Sequence, residues 1–280
     1  MITTATIIMT MIITTTTMIT GTFTAPIAAM TTTITITTAT TTSMTEARGE
    51  TLPLLLWLSP AFPVGAFAYS HGLEWAVEAG DIADVGTLIE WLGDLCDHGA
   101  PRNDSVLFCL AHRASTEADA MRLGQINELG VALAGSLERR LETTQQGGAF
   151  VTAARAAWDC AALAWLPDDG EPIAYPVAVA TAAAGRGISL GQALPAFALS
   201  IFANLVSAAV RLSAIGQTDG QRALAALLPR VTDMAEAASG AVLAEIVAGQ
   251  NGEGALGGAA FRSDLAAMRH ETQYSRLFRS

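Results

Sequence analysis

The sequence predicts an all-α protein, a single compact multi-helix bundle that ends in a flexible C-terminal tail. From residue 52 onward, apolar residues recur three or four positions apart, as on the buried face of a helix. Short breaks rich in Gly and Pro separate these segments, and no series of strands alternates with them. Helical segments joined by short connections are typical of a helical bundle.

Apolar series of this kind locate the predicted helices. They are Val85, Leu88, Ile89, Leu92 and Leu95; Ile126, Leu129, Leu133, Leu137 and Leu141; Phe197, Ile201, Leu205, Ala208 and Leu212; and Leu224, Leu227, Leu228, Val231 and Met234. Helix ends are expected at the Gly- and Pro-containing breaks, which lie at 99–101, 147–148, 166–170, 185–187 and 216.

Residues 1–50 differ in composition from the rest of the chain. Positions 1–43 hold 20 Thr, and no charged residue precedes Glu46. This stretch has no apolar run of the ~20 residues that cross a bilayer, and it lacks the basic start of a signal peptide. We therefore expect a disordered extension, with Met44 as the true start, ahead of one helical domain at 51–280.

The overall composition excludes several classes of function. A net charge of −11 argues against nucleic acid as a partner, because phosphate binding needs a basic surface. All 15 basic residues are Arg, so the chain lacks the lysine of a P-loop or a Schiff base. The cysteines and histidines are dispersed and form no metal-binding motif; they are Cys96, Cys109 and Cys160, and His71, His98, His112 and His270.

The C-terminal segment 259–280 follows a Gly-rich stretch, 249–258, that we predict to be a flexible linker. Its last twelve residues include three Arg, two aromatic residues and one Leu. Arg and aromatic side chains are favoured at protein interfaces, so we predict that this tail binds a partner protein. The alternative is that the tail packs on its own acidic body. The candidate partner-binding residues are Arg269, His270, Glu271, Gln273, Tyr274, Arg276, Leu277, Phe278 and Arg279.

A second unusual segment, 59–74, we call the corner. Pro60 and Pro63 restrict its backbone, and Gly65 permits a turn out of it. A rigid buried corner explains the prolines, but the polar run 69–72 must also find hydrogen-bond partners.

Two patterns leave other functions open. The sequence Gly-Ile-Ser-Leu-Gly at 187–191 matches a hydrolase nucleophile elbow if 176–181 is a strand, with Ser189 as nucleophile and Asp233 and His270 following in order. Otherwise Ser189 is the N-cap of a helix. His71, Glu74 and Glu78 are spaced to share a helix face, where they either coordinate a metal or are solvated.

The corner and the tail, taken together, resemble the urease accessory protein F family over residues 52–280. The motifs that carry the resemblance are 59–65 continuing to 69–74, Ala-Tyr-Pro-Val at 174–177, Arg-Leu at 211–212 leading to 216–221, and 269–280. Family members often have Gly where this chain has Ala180, and the Thr-rich extension has no counterpart in the family.

The resemblance implies an all-helical cytoplasmic chaperone that forms a homodimer, is not an enzyme and has no cofactor. It implies binding to accessory protein D (H in some organisms), recruitment and regulation of the GTPase G, and docking on apo-urease for nickel insertion. On this hypothesis the tail orders against protein D, with Tyr274, Leu277 and Phe278 as apolar anchors.

Tail ordering would then create a platform for the GTPase from the corner and the turn at 216–221. The platform candidates are Ser59, Pro63, Gly65, Tyr69, Ser70, His71, Glu74, Gln217, Asp219 and Gln221. A serine hydrolase acting through Ser189, and a direct nickel carrier that uses His71 or His270, stay as the alternatives.

Overall fold

The computed structural model describes residues 51–168 and 170–279, and all the regular structure in these residues is helical. This confirms the all-α prediction; the predictions for residues 1–50 lie outside the described residues. The helices are α1 (Leu52–Trp57), α2 (Leu73–Glu78), α3 (Val85–His98), α4 (Ala100–Thr116), α5 (Ala120–Ala132), α6 (Leu137–Ala157), α7 (Tyr175–Gly185), α8 (Leu190–Arg211), α9 (Gln217–Val247) and α10 (Phe261–His270). Short 3₁₀ turns lie at Ala66–Ala68, Ala161–Trp165 and Glu253–Ala255.

Helix α7 lies at the centre of the bundle, packed against α4 and α6. Every residue from 176 to 183 is buried, and most of them are Ala or Val. A helix surrounded on all sides has no polar face, so it shows no helical periodicity in its sequence. The Pro176–Thr181 segment, considered above as a strand, is therefore part of this helix.

Two predicted boundaries were wrong. The series from Ile126 to Leu141 is not one helix, because α5 ends at Ala132 and α6 begins at Leu137. Conversely, α6 continues through the predicted break at 147–148. A Cβ on Gly147 would lie 2.0 Å from the carbonyl oxygen of Ile173, so this glycine serves the close approach of the chain that leads into α7.

Helix α8 is long and apolar enough to cross a membrane by length and composition. Half of its most apolar window is buried inside the protein, where it packs on α9 and α4. Such a window is also found in the core helices of large helical bundles. It therefore gives little support to a membrane span among the described residues.

The chain between α9 and α10 is bonded to the body. Arg102 donates to the carbonyl oxygen of Gly257 over 2.8 Å, and the Gly257 N–H donates to Asn103. Arg122 and Glu253 form an ion pair of 2.8 Å. These contacts position the start of α10; the flexibility of the 249–258 linker stays a prediction.

Candidate partner-binding site

The C-terminal segment lies back on the body of the protein, which was the alternative kept open above. Helix α10 packs against α2 and α6. The residues that follow, 271–279, run across α2 to the corner. His270 is fully buried and Phe278 is 4% exposed, so the tail contributes side chains to the interior.

Glu74 on α2 is the main acceptor for the tail. Its carboxylate accepts the backbone N–H of Leu277 at 2.6 Å and that of Phe278 at 2.9 Å. It also lies 3.0 Å from Nε2 of His270. Gly72 permits this approach: its φ is +74°, and a Cβ there would lie 2.5 Å from the backbone nitrogen of Ala267 in α10.

Glu138 on α6 holds the other side of the same histidine. Its carboxylate lies 2.8 Å from Nδ1 of His270 and 3.0 Å from a guanidinium nitrogen of Arg276. The two ring nitrogens of one buried imidazole therefore each face a carboxylate. Burial raises the pKa of Glu138, while the hydrogen bond and charge of His270 act in the opposite direction. We call Glu74, Glu138, His270 and Arg276 the tail cluster.

The end of the tail is bonded to the corner. The Arg279 N–H donates to the carbonyl oxygen of Ala68 over 2.7 Å. The guanidinium carbon of Arg211, at the end of α8, lies 3.5 Å from the ring centre of Phe67 and 4.4 Å from that of Phe278. The side chains of Tyr69 and Arg279 both donate to Gln145. Tail and corner therefore form one continuous surface.

A second buried group, the body cluster, consists of His71, Asp104, Arg139 and Glu142. His71 Nε2 lies 2.9 Å from Glu142, and Arg139 is ion-paired with Glu142 and Asp104. Burial acts to raise the pKa of Glu142, but the charges of Arg139 and His71 lower it to about 2. Burial raises the pKa of Asp104 despite the nearby Arg139. The cluster borders two cavities of about 330 and 220 Å³.

The three predicted anchors of the tail point in different directions. Phe278 is buried against its own body, whereas Tyr274 is fully exposed and Leu277 is 66% exposed. The outer face of α10 adds an exposed apolar stripe, which consists of Phe261, Leu265 and Met268. An apolar surface with this many large exposed side chains is a feature of protein interfaces.

The other predicted site residues divide in the same way. Several bond to the body: Glu271 accepts the N–H of Leu137, Gln273 donates to Glu78, and Arg269 stacks over Trp75. In the corner, Ser59, Pro63 and Gly65 are accessible, whereas Tyr69, Ser70, His71 and Glu74 are buried. Gln217, Asp219 and Gln221 lie in the first turns of α9, where Asp219 pairs with Arg222.

The structure does not support the nucleophile elbow. The segment predicted as a strand ahead of Ser189 lies in the helix Tyr175–Gly185, and the described residues contain no strand. The Ser189 hydroxyl is exposed and donates to Gln192, while His270 is enclosed by the tail cluster. The N-cap alternative holds by position alone, since Ser189 makes no side-chain capping bond.

Among the described residues, no group of three or more His, Cys, Asp or Glu side chains is arranged to hold a metal ion. Both ring nitrogens of His270 face carboxylates, and Glu78 accepts from Gln273. The proposed grouping of His71, Glu74 and Glu78 is divided between different partners, because His71 turns toward Glu142.

The sequence did not point to Glu138, Gln145 and Arg211, which contact the tail. Nor did it point to Phe67, which shares Arg211 with the tail, or to Arg139 and Glu142 of the body cluster. One signal was present. Glu138 and Glu142 lie four residues apart, hence on one face of α6, and both are buried. Buried carboxylates need partners, but the local sequence does not show which distant residues provide them.

Residues 82–228 match the model of the family described as UreF. A protein named urease accessory protein UreF from Methylobacterium radiotolerans is 51% identical over 232 residues, which cover 82% of this chain and 97% of that protein. Its namesake from Methylorubrum populi is 48% identical, with 82% and 99% covered. Another, from Xanthobacter autotrophicus, is 51% identical over 243 residues, with 85% and 94% covered.

Proposed function

This chain belongs to the UreF family of urease accessory proteins, and we propose that it serves urease maturation as a non-enzymatic adaptor in the cytoplasm. In this role it forms a homodimer, binds accessory protein D (H), and brings the GTPase G to apo-urease for nickel insertion. The adaptor also regulates the GTPase.

The observation that supports this role best is the continuous surface made by the docked tail and the corner. It exposes Phe67, Tyr274 and Leu277, each at least 66% accessible. Backbone bonds to Glu74 and Ala68 fix the shape of this surface. A preformed surface loses less conformational entropy on binding than a free tail would lose.

Charge supports an acidic partner. The whole chain carries −11, yet the tail surface presents Arg269, Arg276 and Arg279. The carboxylates of Glu74 and Glu138 beneath it are buried and already engaged with the tail. Those of Glu78 and Glu271 each accept a hydrogen bond. A cationic surface on an acidic protein favours association with an acidic groove and disfavours self-association through this face.

The test is the affinity of the full chain for purified accessory protein D, measured by calorimetry with Tyr274→Ala and Leu277→Ala. We expect each variant to weaken binding about tenfold or more, the size of an interface hot spot. Unfolding curves should not change, because both side chains are exposed. Leu243→Ala and Val247→Ala on α9 are matched controls, since both residues are also exposed and apolar.

Equal losses of affinity in the tail and α9 variants, or no loss of affinity in the tail variants, would contradict the proposed interface.

Recruitment of the GTPase is measured separately, by adding protein G to the complex with D. Deletion of 269–280 should abolish both binding events. GTPase recruitment that persists after loss of D binding would contradict the coupling between tail and platform. Sedimentation equilibrium of the full chain tests the homodimer.

A further inference from the structure

Arg211 contacts both the corner and the tail. It is the last residue of α8, and its guanidinium stacks on the ring of Phe67 in the corner and on the ring of Phe278 in the tail. It also donates a hydrogen bond to the carbonyl oxygen of Phe67. One planar cation therefore contacts two segments that lie at opposite ends of the chain.

The guanidinium is partly removed from water by these rings. Its Nη2 is buried and has no hydrogen-bond partner among the described residues, and burial lowers the pKa of Arg211. Cation–π attraction strengthens when the cation is desolvated. If Phe278 left, one ring would be lost and the guanidinium would regain water, which weakens its contact with Phe67.

Two adjacent carbonyls of the corner accept hydrogen bonds, one from Arg211 of α8 and one from the tail. Phe67 accepts from Arg211, and Ala68 accepts from the Arg279 N–H. Both carbonyls belong to the 3₁₀ turn Ala66–Ala68, which carries the exposed Phe67 side chain. Asn204 on α8 donates to the Ala66 carbonyl over 3.0 Å and so holds the other end of the turn.

We propose that Arg211 is a positioning residue that transmits docking of the tail to the corner. With Phe278 in place, Arg211 holds the 3₁₀ turn and presents Phe67 in one orientation. Without Phe278, the guanidinium loses one of its two rings and holds the turn less firmly, while Asn204 still binds the Ala66 carbonyl. The consequence for partner binding depends on the function proposed above, whereas the coupling within the chain does not.

A simpler role for Arg211 is as a cation at the C-terminal end of α8, where the helix dipole favours positive charge. That role needs charge alone, so a lysine would serve as well. Contact with two rings needs a flat, delocalised cation, which lysine does not provide. Arg211→Lys therefore separates the two roles.

The experiment is a double-mutant cycle between Arg211 and Phe278 in the full chain, observed at the corner. Hydrogen exchange of the peptide 59–69 and the ¹⁹F signal of 4-fluorophenylalanine at position 67 report on the 3₁₀ turn. Exchange of the Leu277 and Phe278 amides, which bind Glu74, shows separately whether the tail stays docked. Arg222→Lys, an exposed arginine at the start of α9, is the matched control.

We expect Phe278→Leu to speed exchange of the corner about fivefold, within the range of couplings measured between contacting residues, and to shift the ¹⁹F signal. Arg211→Lys should give the same change, and adding Phe278→Leu to it should give no further change. If Arg211→Lys does not fold, the cycle between Phe67→Leu and Phe278→Leu replaces it and should show non-additivity of similar size.

Additive effects in the cycle, or wild-type behaviour of Arg211→Lys, would overturn the proposal. Binding of proteins D and G by the same variants is measured in parallel. Failure of the wild type to bind either partner would contradict the proposed function while leaving the coupling within the chain intact.

Discussion

The two buried charge clusters use the same face of α6 for different purposes. The body cluster joins Glu142 to His71, Arg139 and Asp104, all within the body. The tail cluster joins Glu138, one helical turn earlier, to His270 and Arg276 of the C-terminal segment. All members of the first cluster lie outside the C-terminal segment, whereas the second cluster needs His270 and Arg276 from that segment. Stability and partner recognition should therefore be separable by mutation.

The largest difference in unfolding free energy is expected between the variants Arg139→Gln and Arg276→Gln. Arg139 is 13% exposed, and its loss leaves the buried Glu142 and the partly buried Asp104 without this cation. Removal of one partner from a buried pair costs about 3 kcal/mol of unfolding free energy. Arg276 is 41% exposed, so its loss should cost about 1 kcal/mol at most, confined to the tail.

Urea denaturation measures the first effect, and hydrogen exchange of residues 271–279 measures the second. Arg139→Gln should lower the denaturation midpoint, whereas Arg276→Gln should speed exchange of the tail alone. A fall in the midpoint of equal size for both variants would show that the clusters form one cooperative unit.

Acid should remove a stabilising contribution from the body cluster and relieve a destabilising one in the tail cluster. The folded-state pKa of Glu142 is lowered to about 2 from 4.5, so its stabilising contribution is present above pH 4.5 and is lost as the pH falls toward 2. The pKa of Glu138 is raised by burial, so the cost of burying its charge is relieved as the pH falls through that raised pKa. Denaturation of Glu142→Gln and Glu138→Gln between pH 7 and 3 measures both contributions.

We expect Glu142→Gln to lose on the order of 2 kcal/mol at pH 7 and to be less sensitive to acid than wild type. Glu138→Gln should destabilise the protein less at pH 7 than at lower pH, because the variant has no carboxylate charge to bury. Its unfolding free energy should not become less sensitive to acid than that of wild type. The same acid profile for both variants would contradict the assignment of opposite shifts.

Two glycines test how closely α10 approaches α2. Gly65 and Gly72 both have φ near +75°, so alanine costs about 1 kcal/mol of backbone strain at either position. Only at Gly72 does the added Cβ meet the backbone of α10. Gly72→Ala should therefore speed exchange of 261–279, and Gly65→Ala should not. Faster tail exchange in both variants would mean that strain in the corner, rather than the clash, releases the tail.

The sequence predicted the helical class and most helix ends because apolar spacing and Gly or Pro breaks are local signals. It missed the break between α5 and α6, since Leu133 and Leu137 keep a four-residue spacing across the turn. It misread Gly147, where the glycine permits a close contact instead of ending a helix.

The candidate site was only partly predictable for a related reason. The tail and the corner are unusual in composition, and both proved to lie on one surface. Which tail residues point inward depends on Glu74 and Glu138, which lie more than 130 residues away along the chain. No local pattern distinguishes the buried Phe278 from the exposed Leu277 beside it.

The most direct test of the account is a disulfide that locks the tail to the corner. Ala68→Cys and Arg279→Cys join the positions at which the Arg279 N–H already binds the Ala68 carbonyl. Cys160→Ser removes the half-buried thiol, while Cys96 and Cys109 are buried and have pKa values raised to about 12. If the docked tail forms the binding surface, the oxidised protein binds accessory protein D at least as tightly as the same protein after reduction. Loss of binding on oxidation and its return on reduction would contradict the account, because the tail would then have to leave the body to bind.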